Sequence, residues 1–137
     1  MLFLTLLAAA LATTFYVIRD KTPDLMLEVV EMNPRRFSPN GDGKRETITL
    51  RFFVRTDEPH AIIEVINSKT GKVVRRLDDD RELRKNVIAG YVWDGTRNSG
   101  RPVGDGIYRL RVTLPASDRV IEFPRRFFLE RREYTWN

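Results

Sequence analysis

Three features of the 137-residue sequence predict an all-β sandwich of about seven strands, preceded by one N-terminal hydrophobic helix. Apolar and polar side chains alternate along several short segments, as in strands that bury one face. Glycine, proline, asparagine and aspartate separate those segments at spacings typical of a sandwich. Residues 1–18, in contrast, are almost entirely apolar and carry no charged side chain.

The segment 1–18 has the composition of a membrane-spanning helix or signal anchor. At about 1.5 Å per residue it reaches roughly 27 Å, close to the ~30 Å hydrocarbon core of a bilayer. Tyr16 and Arg19 stand where an interfacial ring and a flanking charge are expected. Ala10-Leu11-Ala12 also matches a signal-peptidase site, so a signal peptide that is cleaved after Ala12 is the alternative interpretation. The apolar run that continues beyond it favours a retained anchor.

The charges around this segment give conflicting indications of its orientation. No basic residue precedes it, whereas Arg19 and Lys21 follow it, a pattern that by itself places the following domain in the cytoplasm. Long domains, however, are translocated largely regardless of flanking charge, and a basic region could lie upstream of this sequence. We therefore expect a single-pass cell-membrane protein with its domain outside the cytoplasm.

The strands are predicted within a sandwich at 33–131, after a linker and first strand at 19–32 and before a tail at 132–137. The predicted strands are 25–30, 46–55, 60–66, 73–77, 87–93, 107–114 and 120–129. The acidic stretch that begins at Asp78 is predicted to be an exposed connection. Pro124 cannot donate a backbone hydrogen bond, so it confines its position to a sheet edge or a bulge.

Two segments contain more turn-forming residues than the rest of the chain. The first is FSPNGDG at 37–43, and the second runs from WDG at 93–95 to GRPVGDGIY at 100–108. Asparagine and aspartate cap their own backbone and glycine accepts positive φ, so these pairs reverse the chain. The residues that we expect to define the second segment are Trp93, Asp94, Gly95, Gly100, Gly106 and Tyr108.

These segments resemble the immunoglobulin-like domain of the flagellar hook-capping (FlgD-like) family, which occurs in bacterial surface and secreted proteins. The first is also similar to the opening of gliding-motility and cell-surface C-terminal modules. The resemblance covers roughly residues 33–114, and Gly104 departs from it because relatives usually carry proline or alanine there. It implies an exported immunoglobulin-like sandwich that serves as an accessory, adhesive or assembly module. It does not imply hook capping, because the hook-binding region has no counterpart here.

The loop at 37–43 also contains a candidate calcium site, formed by Asn40, Asp42 and Glu46. Calcium loops place oxygen ligands at alternate positions around a sharp glycine turn. Lys44, however, puts a positive charge at the next alternate position. A turn capped by its own side chains explains the same residues, so we favour that interpretation and expect no other cofactor.

Composition excludes several kinds of site. The absence of cysteine excludes disulfides and thiolate chemistry, and a single histidine, His60, excludes a multi-histidine metal centre. Asp94 and Asp105 beside glycines are better explained as turn caps than as paired catalytic carboxylates. With no nucleophile or phosphate loop in evidence, we expect no enzymatic activity.

The net charge of +5 and four arginine doublets favour an anionic partner, although solvated strand faces have the same composition. Basic and aromatic residues interleave near the C-terminus, yet a membrane segment disfavours nucleic acid and favours lipid head groups or envelope polymers. The sequence thus predicts a non-enzymatic, membrane-tethered module that makes protein–protein or cell-envelope contacts. The alternative is a secreted calcium- or polysaccharide-binding module, released by cleavage after Ala12.

Overall fold

The computed structural model of the chain describes the backbone of residues 16–18 and all of residues 26–131. These residues form ten strands and one short 3-10 turn at Pro115–Ser117. The strands are β1 (Tyr16–Ile18), β2 (Leu27–Asn33), β3 (Arg36–Phe37), β4 (Ile48–Val54), β5 (Glu58–Asn67), β6 (Val73–Leu83), β7 (Val87–Trp93), β8 (Gly106–Leu114), β9 (Arg119–Glu122) and β10 (Phe127–Leu129).

The strands are arranged in two sheets. The smaller sheet has the order β2–β4–β7, and both of its pairings are antiparallel. In the larger sheet β8 is central, with β5 on one side and β9 followed by β10 on the other. Strand β6 lies outside β5, while β1 and β3 pair in parallel outside β9 and β10. The predicted all-β sandwich is confirmed, and it has seven main strands if β9 and β10 count as one interrupted strand.

The alternation of side chains along each strand places the core between the two sheets. On β4 the four core positions are fully buried, whereas Thr49, Arg51 and Phe53 point to the outer face. Burying each large apolar side chain contributes about 1.5–3 kcal/mol, so this pattern sets the strand orientation. The buried residues of β4 and β8 are Ile48, Leu50, Phe52, Val54, Tyr108, Leu110, Val112 and Leu114.

Strand β6 is longer than the sequence pattern predicts. The acidic run from Asp78, expected in a connection, continues the strand to Leu83 and pairs with β5 through several register shifts. Leu83 is buried and holds the far end of the strand. An edge strand tolerates such charges because one face and one backbone edge remain in water, which explains why the periodicity missed this extension.

The last predicted strand, 120–129, is divided in two. Strand β9 ends at Glu122 and β10 begins at Phe127, and Pro124 lies in the interruption. Both parts pair with the same side of β8. The interruption agrees with the expectation that this proline occupies an edge or a bulge.

Most of the predicted helix 1–18 lies outside the described residues, as does the tail 132–137. The part that is described, Tyr16–Ile18, is strand β1, whose residues pair with Arg119, Val120 and Ile121 of β9. For these three residues the prediction of a helix was wrong. Aromatic and β-branched residues favour an extended backbone where a neighbouring strand offers an open edge. Within the described ranges, none of the helical structure is long and apolar enough to cross a bilayer.

The division of β4 into two faces can be tested on adjacent phenylalanines. Phe52 is fully buried in the core, whereas Phe53 is half-buried on the outer face beneath the Arg55 guanidinium, 5.1 Å from its ring centroid. We expect Phe52→Ala to lower the free energy of unfolding by about 3–5 kcal/mol. Phe53→Ala, the matched control, is expected to cost about 1 kcal/mol. Urea denaturation measures both, and equal costs would contradict the assignment of the faces.

Candidate functional site

The two turn-rich segments, far apart in the sequence, lie against each other at one end of the sandwich. A Cβ added to Gly95 would stand 2.8 Å from Cδ1 of Leu129 and 3.0 Å from Cγ of Pro39. The first segment, the turn after Trp93 and the end of β10 therefore meet at this glycine. We call this region the loop junction.

Trp93 forms the buried base of the loop junction. Its ring centroid lies 5.6 Å from that of Phe37, 5.3 Å from that of Tyr108 and 6.0 Å from that of Phe127. Its indole Nε1 donates to the carbonyl oxygen of Thr96 at 2.9 Å, so the polar atom of the ring is satisfied. The four rings join strands from both sheets.

The turn that follows Trp93 is held by its own side chains and backbone. The Asp94 carboxylate accepts hydrogen bonds from the Thr96 hydroxyl at 2.5 Å and the Thr96 amide at 3.1 Å. The hydroxyl bond is the main cause that holds the pKa of Asp94 below its usual range. Gly95 and Gly100 both have positive φ, at +81° and +87°. Asp94 therefore acts as a turn cap in this structure.

Tyr108 and Gly106 occupy the start of β8. The Tyr108 hydroxyl donates to the carbonyl oxygen of Gly104, and burial raises the pKa of this tyrosine. A Cβ at Gly106 would make only ordinary contact, 3.8 Å from the Tyr108 ring, and its φ is not positive. Of the motif residues, Gly106 is the one whose identity nothing in the structure explains.

Arg131 completes the loop junction, a role that no local pattern in the sequence indicates. Its guanidinium donates to the carbonyl oxygens of Val103 at 2.5 Å and Gly95 at 3.4 Å, and it forms an ion pair with Asp105 at 3.3 Å. Its backbone amide also donates to the Asp105 carboxylate. Only the folded chain brings this residue to the loop, since Asp105 lies 26 positions earlier.

The predicted calcium ligands are bonded to backbone amides of their own loop. Asn40 Oδ1 accepts from the amide of Asp42 at 3.0 Å, and Asp42 Oδ1 accepts from that of Lys44 at 2.8 Å. The Glu46 carboxylate accepts from the amides at 41 and 43, at 3.1 and 2.9 Å. The Lys44 amide is the main cause that lowers the pKa of Asp42. This is the geometry of a self-capped turn, and calcium binding stays a prediction.

The single histidine faces an aspartate on the neighbouring strand. His60 Nδ1 lies 2.5 Å from Oδ1 of Asp80, and both side chains are exposed. This hydrogen bond and the charge of Asp80 raise the pKa of His60 above 6.5. Two residues earlier, Glu58 begins β5 and is buried, and its carboxylate accepts hydrogen bonds from the amides of His60 and Ala116.

Several arginines of the doublets have structural roles. Arg75 donates to Thr96 and Arg97 of the loop junction. Arg76 pairs at 3.0 Å with Glu64, a nearly buried carboxylate that also pairs with Arg111 at 3.1 Å. These residues lie side by side on β6, β5 and β8, and Glu122 of β9 extends the same row. These four side chains form a row of alternating charges across the larger sheet, in which both carboxylates are buried and paired with arginine.

Three other arginines form an exposed group at the edge where β3 meets β10. Arg35 donates from its guanidinium to the carbonyl oxygen of Arg126 at 3.1 Å, and Arg125 and Arg126 lie in the interruption after Pro124. Over residues 26–131, no carboxylate oxygen lies within 4.0 Å of their guanidinium nitrogens. We call Arg35, Arg125 and Arg126 the arginine cluster.

Arg36, next to the arginine cluster, has a different environment. It forms an ion pair with Glu130, and its guanidinium lies 4.8 Å from the Phe128 ring centroid. Its charge is therefore compensated within the domain. Of this pair of adjacent arginines, Arg36 therefore forms an ion pair within the domain, whereas Arg35 is exposed to solvent.

No protein-family model and no curated protein matches this chain. Among solved structures, it is similar to PorZ, a surface component of the type-IX secretion system of Porphyromonas gingivalis, with 18% identity and a TM-score of 0.43 over 75% of this chain and 11% of that one. It is also similar to FlgD from P. aeruginosa, with 16% identity and a TM-score of 0.47 over 75% of this chain and 68% of that one. A third similar structure is a CARDB domain from Pyrococcus furiosus, with 13% identity and a TM-score of 0.39 over 78% of this chain and 96% of that one. The chain spans about a tenth of PorZ, and similarity at this level assigns no residue role.

The packing of the loop junction can be tested with two glycines that share a left-handed backbone. Gly95→Ala places a methyl group against Leu129 and Pro39, whereas the matched control Gly100→Ala has no atom within 4 Å of the added Cβ. Both variants bear the cost of positive φ, about 1 kcal/mol. We expect the free energy of unfolding of Gly95→Ala to be about 1–3 kcal/mol lower than that of the control. Thermal unfolding measures the difference, and equal losses would argue against close packing here.

The His60–Asp80 pair predicts a small pH dependence of stability. Because the pKa of His60 is raised in the folded state, the pair stabilises the fold fully below pH 6.5 and loses this effect as the pH rises through the folded-state pKa. We expect NMR titration to place the pKa above 6.5, and Asp80→Asn to move it back toward that value. Asp79→Asn is the control, and an equal change in both variants would contradict the assigned pairing.

Proposed function

We propose that this chain is a non-enzymatic, membrane-tethered immunoglobulin-like module that contacts an anionic polymer of the bacterial cell envelope through the arginine cluster. The observation that carries the proposal is the group of three exposed guanidinium groups, none of which has a carboxylate oxygen within 4.0 Å among residues 26–131. Uncompensated like charges raise the local potential and attract counter-ions. Guanidinium groups also bind phosphate and carboxylate through paired hydrogen bonds, which lysines do not reproduce.

The local backbone supports a binding role for the arginine cluster. The Arg35 guanidinium bonds to the carbonyl oxygen of Arg126, so its positive charge is held beside the exposed segment that carries Arg125 and Arg126. Pro124 interrupts the strand pairing just before Arg125, which leaves the segment 124–126 exposed. Because Arg35 is already held in place, its side chain needs little further ordering when an anion binds.

The position of the arginine cluster favours a polymer over the lipid of the membrane that would hold the anchor. A chain entering the sheet at Tyr16 does so opposite Arg119. On β8 the residues opposite Arg119 and Phe127 are six positions apart, so the arginine cluster, next to Phe127, lies about 20 Å from Arg119 at 3.3 Å per residue. This exceeds the ~8 Å Debye length at physiological ionic strength, beyond which the charge of a lipid surface is largely screened.

The non-enzymatic part of the proposal rests on composition, and the tether rests on the apolarity of residues 1–15, which precede β1. A sequence with one histidine and no cysteine offers few catalytic groups. Protease accessibility in intact cells tests the side of the membrane on which the domain lies. Mass spectrometry of the native N-terminus tests the tether, and a mature chain beginning at Thr13 would contradict it.

The binding role of the arginine cluster is tested with the full chain in detergent and long-chain inorganic polyphosphate as the probe. The variant Arg35→Gln/Arg125→Gln/Arg126→Gln removes three charges from the cluster. The control Lys69→Gln/Lys72→Gln/Lys85→Gln removes three exposed charges elsewhere, so the two variants have the same net charge. We expect the cluster variant to bind at least about tenfold more weakly, equal to ~1.4 kcal/mol, and the control to change about twofold or less.

Two results would contradict this role. Equal weakening in both variants would show that net charge alone attracts the probe. A cluster variant that keeps its affinity for polyphosphate but loses binding to phosphatidylglycerol vesicles would assign the arginines to the membrane surface instead. Raising the salt concentration is expected to weaken wild-type binding steeply and variant binding less, since fewer ionic contacts remain.

A further inference from the structure

Most outer strands of the two sheets carry features that prevent pairing with another chain. In β2 a bulge follows Val29, and the strand also carries two glutamates. The backbone amide and carbonyl of Arg76 on β6 are both bonded to the Asn98 side chain, at 2.8 and 2.9 Å. Strands β1 and β3 are only three and two residues long. Bulges, charges, covered backbone groups and short length are the recognised protections of sheet edges.

Strand β7 has none of these protections. Its seven residues, VIAGYVW, include no charge and no proline, and all seven pair with β4 without a register shift. Beyond β4, this strand has no other pairing partner in the described part of the sheet. Ile88 and Val92 are 41% and 63% exposed on its outer face. A regular, uncharged, apolar edge of this kind is a template for another strand.

We propose that β7 pairs antiparallel with β7 of a second copy of this chain, with the two-fold axis at Gly90. In this register Ile88 lies opposite Val92 of the second copy, and Val92 lies opposite Ile88 of the second copy. The two three-stranded sheets become one sheet of six strands. The pattern apolar–glycine–apolar is the same in both directions, as an isologous contact requires.

The charges around β7 favour a second copy over a charged partner. On the neighbouring strand Arg51 pairs with Glu31 at 3.5 Å, and Arg55 pairs with Glu28 at 2.7 Å, so the outer face is locally neutral. The Arg51 stem lies beside Gly90, 3.3 Å from the position of an added Cβ. On this outer face self-pairing therefore brings no uncompensated like charges together, and an acidic or basic partner would find no opposite charge there.

Gly90 allows the closest approach at the proposed axis. Directly opposite residues of an antiparallel pair have Cα atoms about 4.5–5.5 Å apart. The paired edge is about 24 Å long for seven residues. An edge of this size buries less than the roughly 1,600 Å² of a standard interface, so we expect a weak dimer.

The register is tested by oxidative cross-linking of the full chain, which has no native cysteine. Gly90→Cys places two thiols at the axis, within the Cα separation that a disulfide accepts. We expect it to form a covalent dimer at least about tenfold faster than Val30→Cys, an exposed position on β2 that serves as the control. Equal or absent cross-linking would overturn the proposal.

A charge design tests the same pairing without cysteine. Ile88→Lys/Val92→Lys places like charges opposite each other in the dimer, whereas Ile88→Lys/Val92→Glu places opposite charges there. We expect sedimentation equilibrium to give a dimer dissociation constant at least about tenfold lower for the lysine–glutamate variant than for the lysine–lysine variant. Association that is the same in both variants would arise elsewhere, for example through residues 1–18, and would overturn the proposal, as would a monomeric wild type.

Discussion

The burial of Trp93 is the interaction on which the rest of the structure depends. Its indole contacts Phe37 from the first turn-rich segment, Tyr108 from the central strand and Phe127 from the last. A group of large rings contributes both apolar burial and favourable ring geometry, each worth on the order of 1 kcal/mol or more. Because these rings come from both sheets, the loops above them can take only the positions that this packing allows.

The loop junction is consequently a structural feature before it is a binding site. Gly95 is in contact distance of two side chains, and Asp94 and Glu46 use their carboxylates to hold backbone amides. Arg131 closes the same region from the C-terminal end of the sandwich. The carboxylates of Asp94 and Glu46, which first suggested catalysis and calcium binding, accept hydrogen bonds from the backbone amides of their own turns. Binding is better sought where polar groups remain directed to solvent.

Two surfaces outside the loop junction are candidates for binding, and they lie on different sheets. The arginine cluster belongs to the edge of the larger sheet, where Pro124 interrupts the strand pairing. Strand β7 belongs to the smaller sheet and is apolar and uncharged. An electrostatic contact acts at longer range and weakens with salt, whereas strand pairing requires contact along the whole edge. In our two proposals the polymer and the second copy therefore occupy separate surfaces.

Side-chain alternation and turn-forming residues were enough to locate most of the strands, their buried faces and the turns. Alternation identified Ile48 to Val54 and Val87 to Trp93, because burying one face of a strand imposes a period of two. It failed for β6, since an edge strand with charged residues loses that period. It also failed for Tyr16–Ile18, where local apolarity does not distinguish a helix from a strand.

Residues of the same type acquire different roles here through contacts between distant parts of the chain. Arg35 and Arg36 are adjacent and chemically identical, yet one is paired with Glu130 and the other is not paired with a carboxylate in the described chain. Arg131 reaches Asp105 across 26 positions. Such contacts depend on the register and packing of distant strands, which local sequence patterns do not encode.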